Sequence, residues 1–327
     1  MSVLVTGGAG YIGAHVVRLL QGAADQVVVI DDLSSGRADR VGGAPLVEID
    51  LAAADAVDAT AAVLHEHEVT SVIHLAARKR VDESIERPAW YYQQNIGSLA
   101  TVLLAMEAAG TRQLVFSSSA AVYGETTTSP VDEQAALEPK NPYGRSKLVG
   151  EWMVRDACRA WGLRAASLRY FNVAGAAWPE LGDPLAVNLV QILLDRTWSG
   201  LPAAVFGSDY ATSDGTCVRD FVHVVDLAEA HIHVVQALEA GVIDHGELNV
   251  GTGAGSTVLQ VVQTLAEVLG RELEVDFRPR REGDPSEVVA RVDLIAERTG
   301  WRSRADLKAI VTSAVAAWEH VHGPLPS

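Results

Sequence analysis

Short apolar runs alternate with longer stretches of helical character through the first half of the chain. Several of these runs end in polar residues or glycines, as buried strands do where they reach the edge of a sheet. This alternation is typical of a parallel sheet with helices on both faces. It predicts a doubly wound α/β domain over residues 1–172. The predicted strands are Val3–Thr6, Val27–Asp31, Leu46–Asp50, Val72–Ala76, Leu114–Ser118 and Ala165–Arg169.

The rhythm of the sequence changes after Asn172. Segments rich in Gly, Pro and Asp then separate shorter helices and strands, at residues 175–184, 207–215 and 278–285. This pattern predicts a smaller, mixed α/β substrate-binding lobe over residues 173–327, interleaved with the first. Because clefts between lobes are preferred sites for small molecules, we expect the functional site where this lobe covers the carboxyl edge of the sheet.

The first predicted strand runs directly into glycines with the spacing G-x-x-G-x-x-G, at Gly7, Gly10 and Gly13. A strand, a glycine turn and a helix in this order let the backbone approach a pyrophosphate at the helix N-terminus. The second predicted strand ends in Asp31 and Asp32, about 20 residues further on, where a carboxylate can bind the ribose diol of adenosine. A carboxylate there repels a 2′-phosphate. The pattern therefore predicts a Rossmann-type site for NAD rather than NADP, the alternative being an ordinary strand-turn-helix with no ligand.

The composition is that of a globular protein with a substantial core: 48% of its 327 residues are apolar and 21% are charged. The formal net charge of −16 argues against nucleic acid or an anionic membrane as a partner. The first strand starts next to the N-terminus, so no signal peptide is predicted, and no apolar run reaches membrane-spanning length. With only two cysteines, Cys158 and Cys217, we expect free thiols, no metal site and a cytoplasmic location.

The segment Asn-Pro-Tyr-Gly-Arg-Ser-Lys at residues 141–147 carries the sharpest local chemistry. Asn is a good N-cap and Pro is favoured at the first helical position, so a helix is predicted to start here. Tyr143 and Lys147 then lie one turn apart on the same face. A tyrosine acts as a base near neutral pH only if its pKa falls from about 10 toward 7, and a positive charge about 4 Å away can supply a comparable shift. We expect Lys147, helped by an oxidised nicotinamide, to provide it. Tyr and Lys at this spacing also occur by chance, but Ser119, at the end of a predicted strand, can hydrogen-bond a substrate oxygen and supports the catalytic interpretation.

Several motifs in the same order along nearly the whole chain resemble the extended short-chain dehydrogenase/reductase family and, within it, the UDP-sugar 4-epimerases. They are TGGAGYIG, SVIHLAA, YYQQN, FSSSAAVYG, NPYGRSK, LRYFN, DGTCVRDFVHV and PRREGD. The resemblance implies tightly bound NAD, a UDP-sugar substrate and a homodimer, the latter built from helices predicted at residues 95–109 and 146–160. It also implies exchange of UDP-glucose and UDP-galactose through a transient 4-keto sugar, with Tyr143, Lys147 and Ser119 as the catalytic residues.

The strand ends and the resemblance together assign residues to each ligand. The predicted NAD contacts are Gly7, Gly10, Tyr11, Ile12, Gly13, Asp31, Asp32, Asp50, Leu51, Ala76, Ala77, Lys79, Asn95, Ser117, Tyr143, Lys147 and Tyr170. The predicted UDP-sugar contacts are Ser119, Tyr143, Phe171, Asn172, Asn188, Leu189, Val205, Phe206, Arg219, Arg281 and Asp284. Two arginines can hold a diphosphate through paired, charge-assisted hydrogen bonds, and Phe206 offers a ring to uracil. The simpler alternatives are a surface ion pair of Arg219 with Asp220 and a core position for Phe206.

Two other functions fit the same fold. A nucleotide-sugar 4,6-dehydratase needs acids just after the fifth strand, where this chain has Ser119-Ala120-Ala121. A non-catalytic NAD-binding protein has no need for Tyr143 and Lys147 together. The pattern therefore favours the epimerase, with UDP-N-acetylglucosamine, UDP-xylose and UDP-glucuronate as alternative substrates.

Overall fold

A parallel sheet of seven strands forms the centre of the larger lobe. The computed structural model describes residues 1–23, 25–126, 128–185, 187–281 and 283–325. In chain order, the strands are β1 (Ser2–Thr6), β2 (Gln26–Asp31), β3 (Leu46–Glu48), β4 (Ser71–His74), β5 (Gln113–Ser117), β6 (Arg164–Tyr170), β7 (Asn172–Ala174), β8 (Ala203–Phe206), β9 (Val218–His223), β10 (His245–Val250), β11 (Gly255–Thr257), β12 (Val275–Arg278) and β13 (Glu287–Val288). The order across the main sheet is β3-β2-β1-β4-β5-β6-β10, which is the Rossmann order with one added strand.

Helices cover both faces of this sheet. In chain order, they are α1 (Tyr11–Gly22), α2 (Ala56–Glu66), α3 (Val81–Glu86), α4 (Pro88–Tyr92), α5 (Ser98–Ala109), α6 (Pro142–Trp161), α7 (Leu189–Trp198), α8 (Val224–Glu239), α9 (Val258–Leu269), α10 (Asp293–Thr299) and α11 (Leu307–His322). Helices α1 and α8 bury one apolar cluster against the sheet, and α2, α5 and α6 bury another on the opposite face. The predicted doubly wound α/β fold is confirmed.

The apolar runs predict the strands well because the sheet is covered on both sides. In β1, Val3 and Val5 belong to one cluster and Leu4 to the other, and all three are fully buried. A strand of this kind is apolar at every position rather than at alternate ones. All six predicted strands occur, with ends shifted by at most two residues.

Strand β10 is the part of the main sheet that the sequence analysis missed. It pairs in parallel with β6 along six residues, at the edge of the sheet. Its sequence, His-Gly-Glu-Leu-Asn-Val, is largely polar because an edge strand is partly solvated. Glu247 accepts a hydrogen bond from Arg155 of α6 at 2.7 Å instead of packing in a core. The chain thus returns to the main sheet after forming part of the second lobe.

The second lobe is built around two small sheets. Strand β9 pairs in parallel with β7 and β13 and antiparallel with β11, while β8 and β12 form a parallel pair. A third apolar cluster lies between these strands and α7, α9 and α11. This lobe has the smaller, mixed α/β character that was predicted. Within the ranges described, no helix combines the length and the apolar character needed to cross a bilayer.

Candidate active site

The glycine turn brings β1 and α1 into direct contact. Gly7 has a φ of +71°, and a Cβ there would lie 2.7 Å from the Ala76 backbone nitrogen. A Cβ on Gly13 would lie 2.2 Å from the carbonyl oxygen of Gly7. Gly10 immediately precedes α1, and no side-chain cap covers that helix end. The turn therefore leaves the first N–H groups of α1 open to the cleft, as a bound pyrophosphate requires.

A cavity of about 400 Å³ opens at the carboxyl ends of the central strands. Every predicted NAD contact lines it except Asn95. Further lining residues that the sequence analysis did not assign are Ile30, Ser34, Ser35, Ile49, Ala52, Leu75, Arg78, Arg80, Glu83, Gln94, Ser98, Asp183, Pro184 and Leu185. The glycine cradle, the acids after β2 and the length of the cleft together fit a dinucleotide.

Asp31 holds the glycine turn as well as facing the cavity. Its Oδ2 accepts a hydrogen bond from the Ala9 backbone at 3.0 Å, and its Oδ1 accepts one from the Leu33 backbone at 2.9 Å. Burial raises the pKa of this carboxyl, and the two backbone donors oppose the rise. A carboxylate has about four lone-pair positions, so Asp31 keeps acceptor capacity for a ribose diol.

Arg78 bridges two loops at the rim of the cavity. From the segment after β4, its guanidinium donates to Asp32 at 2.8 Å, to the Ser34 hydroxyl at 2.5 Å and to Gln94 at 3.1 Å. Asp32 and Ser34 follow β2, so the side chain spans the gap between neighbouring strand ends. The sequence signal was the run Arg78-Lys79-Arg80 after an apolar strand; only Lys79 was predicted, from the family resemblance.

Asn95 acts through the backbone of Arg78 rather than by lining the cavity. Its Oδ1 accepts from Arg78 N at 2.8 Å, and its Nδ2 donates to Arg78 O at 3.0 Å and to the Ser146 hydroxyl at 3.0 Å. Asn95 lies in a π-helical turn, Gln93–Gly97, between α4 and α5. Such turns are frequent at functional sites. Asn95 therefore holds the Arg78 backbone at the rim of the cavity, and the NAD contact assigned to Asn95 stays a prediction.

The predicted start of α6 is confirmed. The Asn141 side chain accepts from the Gly144 backbone at 2.8 Å, and Pro142 occupies the first helical position. Tyr143 and Lys147 both line the cavity, with the Lys147 Nζ 6.0 Å from the centroid of the Tyr143 ring. The helix thus presents the pair to the same space as the glycine turn.

Lys147 and Tyr143 are both buried, and burial moves their pKa values in opposite directions. The Lys147 ammonium is buried and donates to the Ser117 carbonyl at 2.7 Å. Burial lowers the pKa of Lys147 to about 7. Burial also raises the pKa of Tyr143, and hydrogen bonding with Ser119 opposes part of that rise. The predicted fall in the pKa of Tyr143, to which an oxidised nicotinamide contributes, stays a prediction.

Ser119 lies beside the cavity rather than in its wall, as far as the described residues define it. Its hydroxyl accepts from the Ala121 backbone at 3.2 Å and caps a short 3₁₀ turn, Ala120–Val122. The side chain is half-buried. Ser119 can therefore reach a molecule that enters between the strand end and Tyr143.

The two arginines predicted to hold the diphosphate have different partners in the second lobe. Arg219 forms a salt bridge with Asp284 and donates to the Val218 carbonyl at 2.7 Å. The Arg281 guanidinium lies 4.0 Å from the centroid of the Phe206 ring. The alternative pair of Arg219 with Asp220 is wrong, because Asp220 is fully buried and accepts from the backbones of residues 252, 253 and 290.

The remaining predicted substrate contacts differ in how accessible they are. Val205 is fully buried in the core of the second lobe, side chain and backbone alike, and its contact with a substrate stays a prediction. Phe171 is largely buried as well, and Asn172 donates to the Asp220 carbonyl at 3.2 Å. Leu189 is the first residue of α7 and is only partly buried.

Asn188 and the unpredicted Asp183 connect the second lobe to the cavity. Asn188 caps α7 through Gln191 N at 3.2 Å and donates to Asp183 Oδ2, also at 3.2 Å. The same carboxylate oxygen lies 3.5 Å from the Lys79 Nζ. Asp183 thus joins a predicted NAD contact to a predicted substrate contact, a link that only the folded chain reveals.

Known proteins are similar to this chain over almost its whole length. A UDP-glucose 4-epimerase of Azospirillum brasilense is 46% identical over 97% of this chain and 91% of its own length. A UDP-glucose 4-epimerase of Stenotrophomonas maltophila, solved with NAD and formylated UDP-arabinopyranose, is 39% identical with a TM-score of 0.92 over 98% of both chains. A UDP-Glc/GlcNAc 4-epimerase of Campylobacter jejuni is 34% identical with a TM-score of 0.86 over 98% of this chain and 99% of its own. Residues 3–251 match the sequence pattern of one family. The chain belongs to the NAD dependent epimerase/dehydratase family.

Proposed function

We propose that this protein is a UDP-glucose 4-epimerase, an isomerase that exchanges UDP-glucose and UDP-galactose with NAD as its cofactor. One observation carries the proposal: Tyr143 and Lys147 line the same cavity as the glycine turn and Asp31. A base next to a dinucleotide site supports proton and hydride transfer at one carbon of a sugar. Relatives with this activity match the chain over almost its full length.

The side chains divide the work between proton transfer and anchoring. NAD, when bound, supplies reversible oxidation at carbon 4 of the sugar. Tyr143 takes the proton of the 4-hydroxyl and later returns it, while Ser119 hydrogen-bonds the same oxygen. Lys147 stabilises the ionised tyrosine. Arg219 and Arg281 hold the diphosphate in charge-assisted hydrogen bonds, so the hexose can rotate and present its other face to NAD while the nucleotide stays in place.

In this proposal each lobe binds mainly one of the two ligands. Residues 1–172 supply most of the NAD contacts and the catalytic Tyr143 and Ser119. Residues 173–327 supply most of the UDP-sugar contacts, apart from β10, which completes the main sheet, and α8, which packs against it. Arg219, Phe206 and Arg281 all lie in the second segment. The link from Lys79 through Asp183 to Asn188 supports a substrate site next to the cofactor site.

An NMR assay of the purified protein tests the proposed function. UDP-glucose and UDP-galactose should interconvert without added reductant, because the oxidation is reversed within each turnover. UDP-N-acetylglucosamine, UDP-xylose and UDP-glucuronate, assayed in parallel, decide between the alternative substrates. If the protein contains NAD and converts none of the five sugars, the epimerase proposal is wrong; a 4-keto-6-deoxy product would identify a dehydratase instead.

We also propose that the protein is a homodimer that associates through α5 and α6. These helices contact each other, and they expose Leu104 (53% exposed) and Trp152 (50%). Large exposed apolar side chains on neighbouring helices are typical of interaction surfaces. In sedimentation velocity, Trp152→Glu should reduce the mass to half the wild-type value. Val321→Glu, at an apolar residue of α11 that is 67% exposed, should leave the mass unchanged. A wild-type protein that sediments as a monomer would contradict the dimer.

A further inference from the structure

Glu151 is a buried carboxylate on the same face of α6 as the catalytic pair. It follows Lys147 by one turn and Tyr143 by two, and it is 1% exposed. Its Oε1 accepts from the Ser118 hydroxyl at 2.5 Å. Ser118 lies between Ser117, whose carbonyl accepts from Lys147, and Ser119. One side chain of α6 therefore holds the strand end that carries the catalytic serine.

Arg169 on β6 fixes Glu151 from the other side. Its Nε and Nη2 donate to the two carboxylate oxygens at 2.9 and 2.7 Å, which is a bidentate pair. Its Nη1 donates to the Tyr123 hydroxyl and to the Glu133 carbonyl, each at 3.0 Å. Tyr123 in turn donates to Asn249 of β10 at 2.6 Å. The carboxylate is thus oriented by a guanidinium that is itself held on all sides.

Helix α6 is closely packed against residues 116–121, so the two segments have little freedom to shift relative to each other. A Cβ on Gly144 would lie 2.6 Å from the Ala121 carbonyl oxygen, and one on Gly150 would lie 2.4 Å from the Phe116 ring. These two glycines flank Lys147 on α6. The helix therefore rests directly on the residues before and after the serines, and the bond from Ser118 to Glu151 fixes its position along them.

We propose that Glu151, oriented by Arg169, is a positioning residue that sets the distance between Ser119 on the strand end and Tyr143 with Lys147 on the helix. The inference rests on the proposed function, since those three groups are its catalytic residues. A buried ion pair adds little net stability over apolar residues of the same volume, so stability alone does not explain this one. The need to place the catalytic groups accurately does explain the ion pair, because a misplacement of about 1 Å can lower the reaction rate about 100-fold.

The test removes the hydroxyl of Ser118 and compares this variant with one that lacks the hydroxyl of another buried serine near the same sheet. Ser71 is also 1% exposed, and its hydroxyl donates to Gln113 at 2.7 Å, at the opposite ends of the strands. Ser118→Ala should lower kcat at least tenfold, with KM for UDP-glucose and bound NAD within twofold of wild type. Ser71→Ala should leave kcat within twofold, even if both variants lose similar stability to urea. Equal kcat in the two variants would overturn the proposal.

Hydrogen exchange gives a second readout that does not depend on activity. Backbone amides of residues 117–122 should exchange faster in Ser118→Ala than in Ser71→Ala, because the strand end has lost its attachment to α6. If the wild-type protein lacks epimerase activity and this difference is still seen, the proposed function fails and the positioning contact stands. If the wild-type protein is active and the exchange does not differ, the positioning role fails alone.

A double variant covers the case in which Ser118→Ala does not fold. Glu151→Leu with Arg169→Met replaces the ion pair by apolar side chains and leaves no buried charge unpaired. It should remain folded and show the same loss of kcat, at least tenfold, with KM little changed. A folded double variant with wild-type kcat would refute the role of Glu151.

Discussion

Replacing Tyr143 by phenylalanine is expected to lower kcat about 10³-fold, within the range for loss of a general acid–base group. The substitution removes one oxygen and keeps the ring that lines the cavity. NAD should therefore remain bound, and KM for UDP-glucose should change little. The measurement is the initial rate of UDP-galactose formation, together with NAD released on denaturation.

Tyr92 provides the matched control for this substitution. It is another half-buried tyrosine, at the end of α4, and it lies outside the described lining of the cavity. Tyr92→Phe should retain kcat within about twofold. A Tyr143→Phe enzyme with a kcat within tenfold of wild type would show that another group takes the proton.

Replacing Gly13 by alanine is expected to weaken the binding of NAD. The new methyl would lie 2.2 Å from the Gly7 carbonyl oxygen and 2.7 Å from the Gly8 Cα, both of which are backbone atoms. Overpacking of this kind costs about 1–3 kcal/mol. If helix α1 moves away to relieve the clash, it spoils the turn that holds the pyrophosphate. A loss of that size in binding weakens the affinity for NAD by about 5- to 150-fold.

The same helix supplies the control. A Cβ on Gly22 meets nothing within 4 Å. Gly22→Ala should keep its NAD and change the free energy of unfolding by no more than about 1 kcal/mol, in the stabilising direction. NAD content and urea unfolding of the two variants provide the comparison. If Gly13→Ala retained as much NAD as Gly22→Ala, helix α1 could move away from the glycine turn without loss of NAD binding, and the prediction would be wrong.

Local sequence patterns predicted the fold correctly wherever the structure of a segment depends mainly on that segment. The apolar runs predicted the central strands because both faces of the sheet are covered, and Asn141 with Pro142 predicted the start of α6. Strand β10 escaped because an edge strand can be polar. The smaller lobe was recognised from its composition, but the pairing of its short strands around β9 depends on contacts far apart in the chain.

In the candidate site, too, some residues could be predicted from local sequence and others could not. Gly7, Gly13 and Asp31 could be assigned from spacing, since a turn and a strand end fix them. Arg78 and Asp183 could not, because Arg78 binds Asp32 and Asp183 pairs with Lys79, each from another segment of the chain. Spacing also predicted that Lys147 lies near Tyr143, but not that its ammonium is buried against the Ser117 carbonyl, because that contact comes from another segment of the chain.

The return of the chain to the main sheet at β10 limits how the molecule can be divided. The polypeptide leaves that sheet after β6, re-enters it at β10 and leaves it again toward β11. A fragment that stops at residue 172 would lack α8 on one face and the strand that covers the edge of β6, and it would expose that edge to other chains. The smaller lobe therefore cannot be exchanged as a cassette. New substrate specificities are expected to arise by changes within loops such as residues 207–215, not by replacement of a whole lobe.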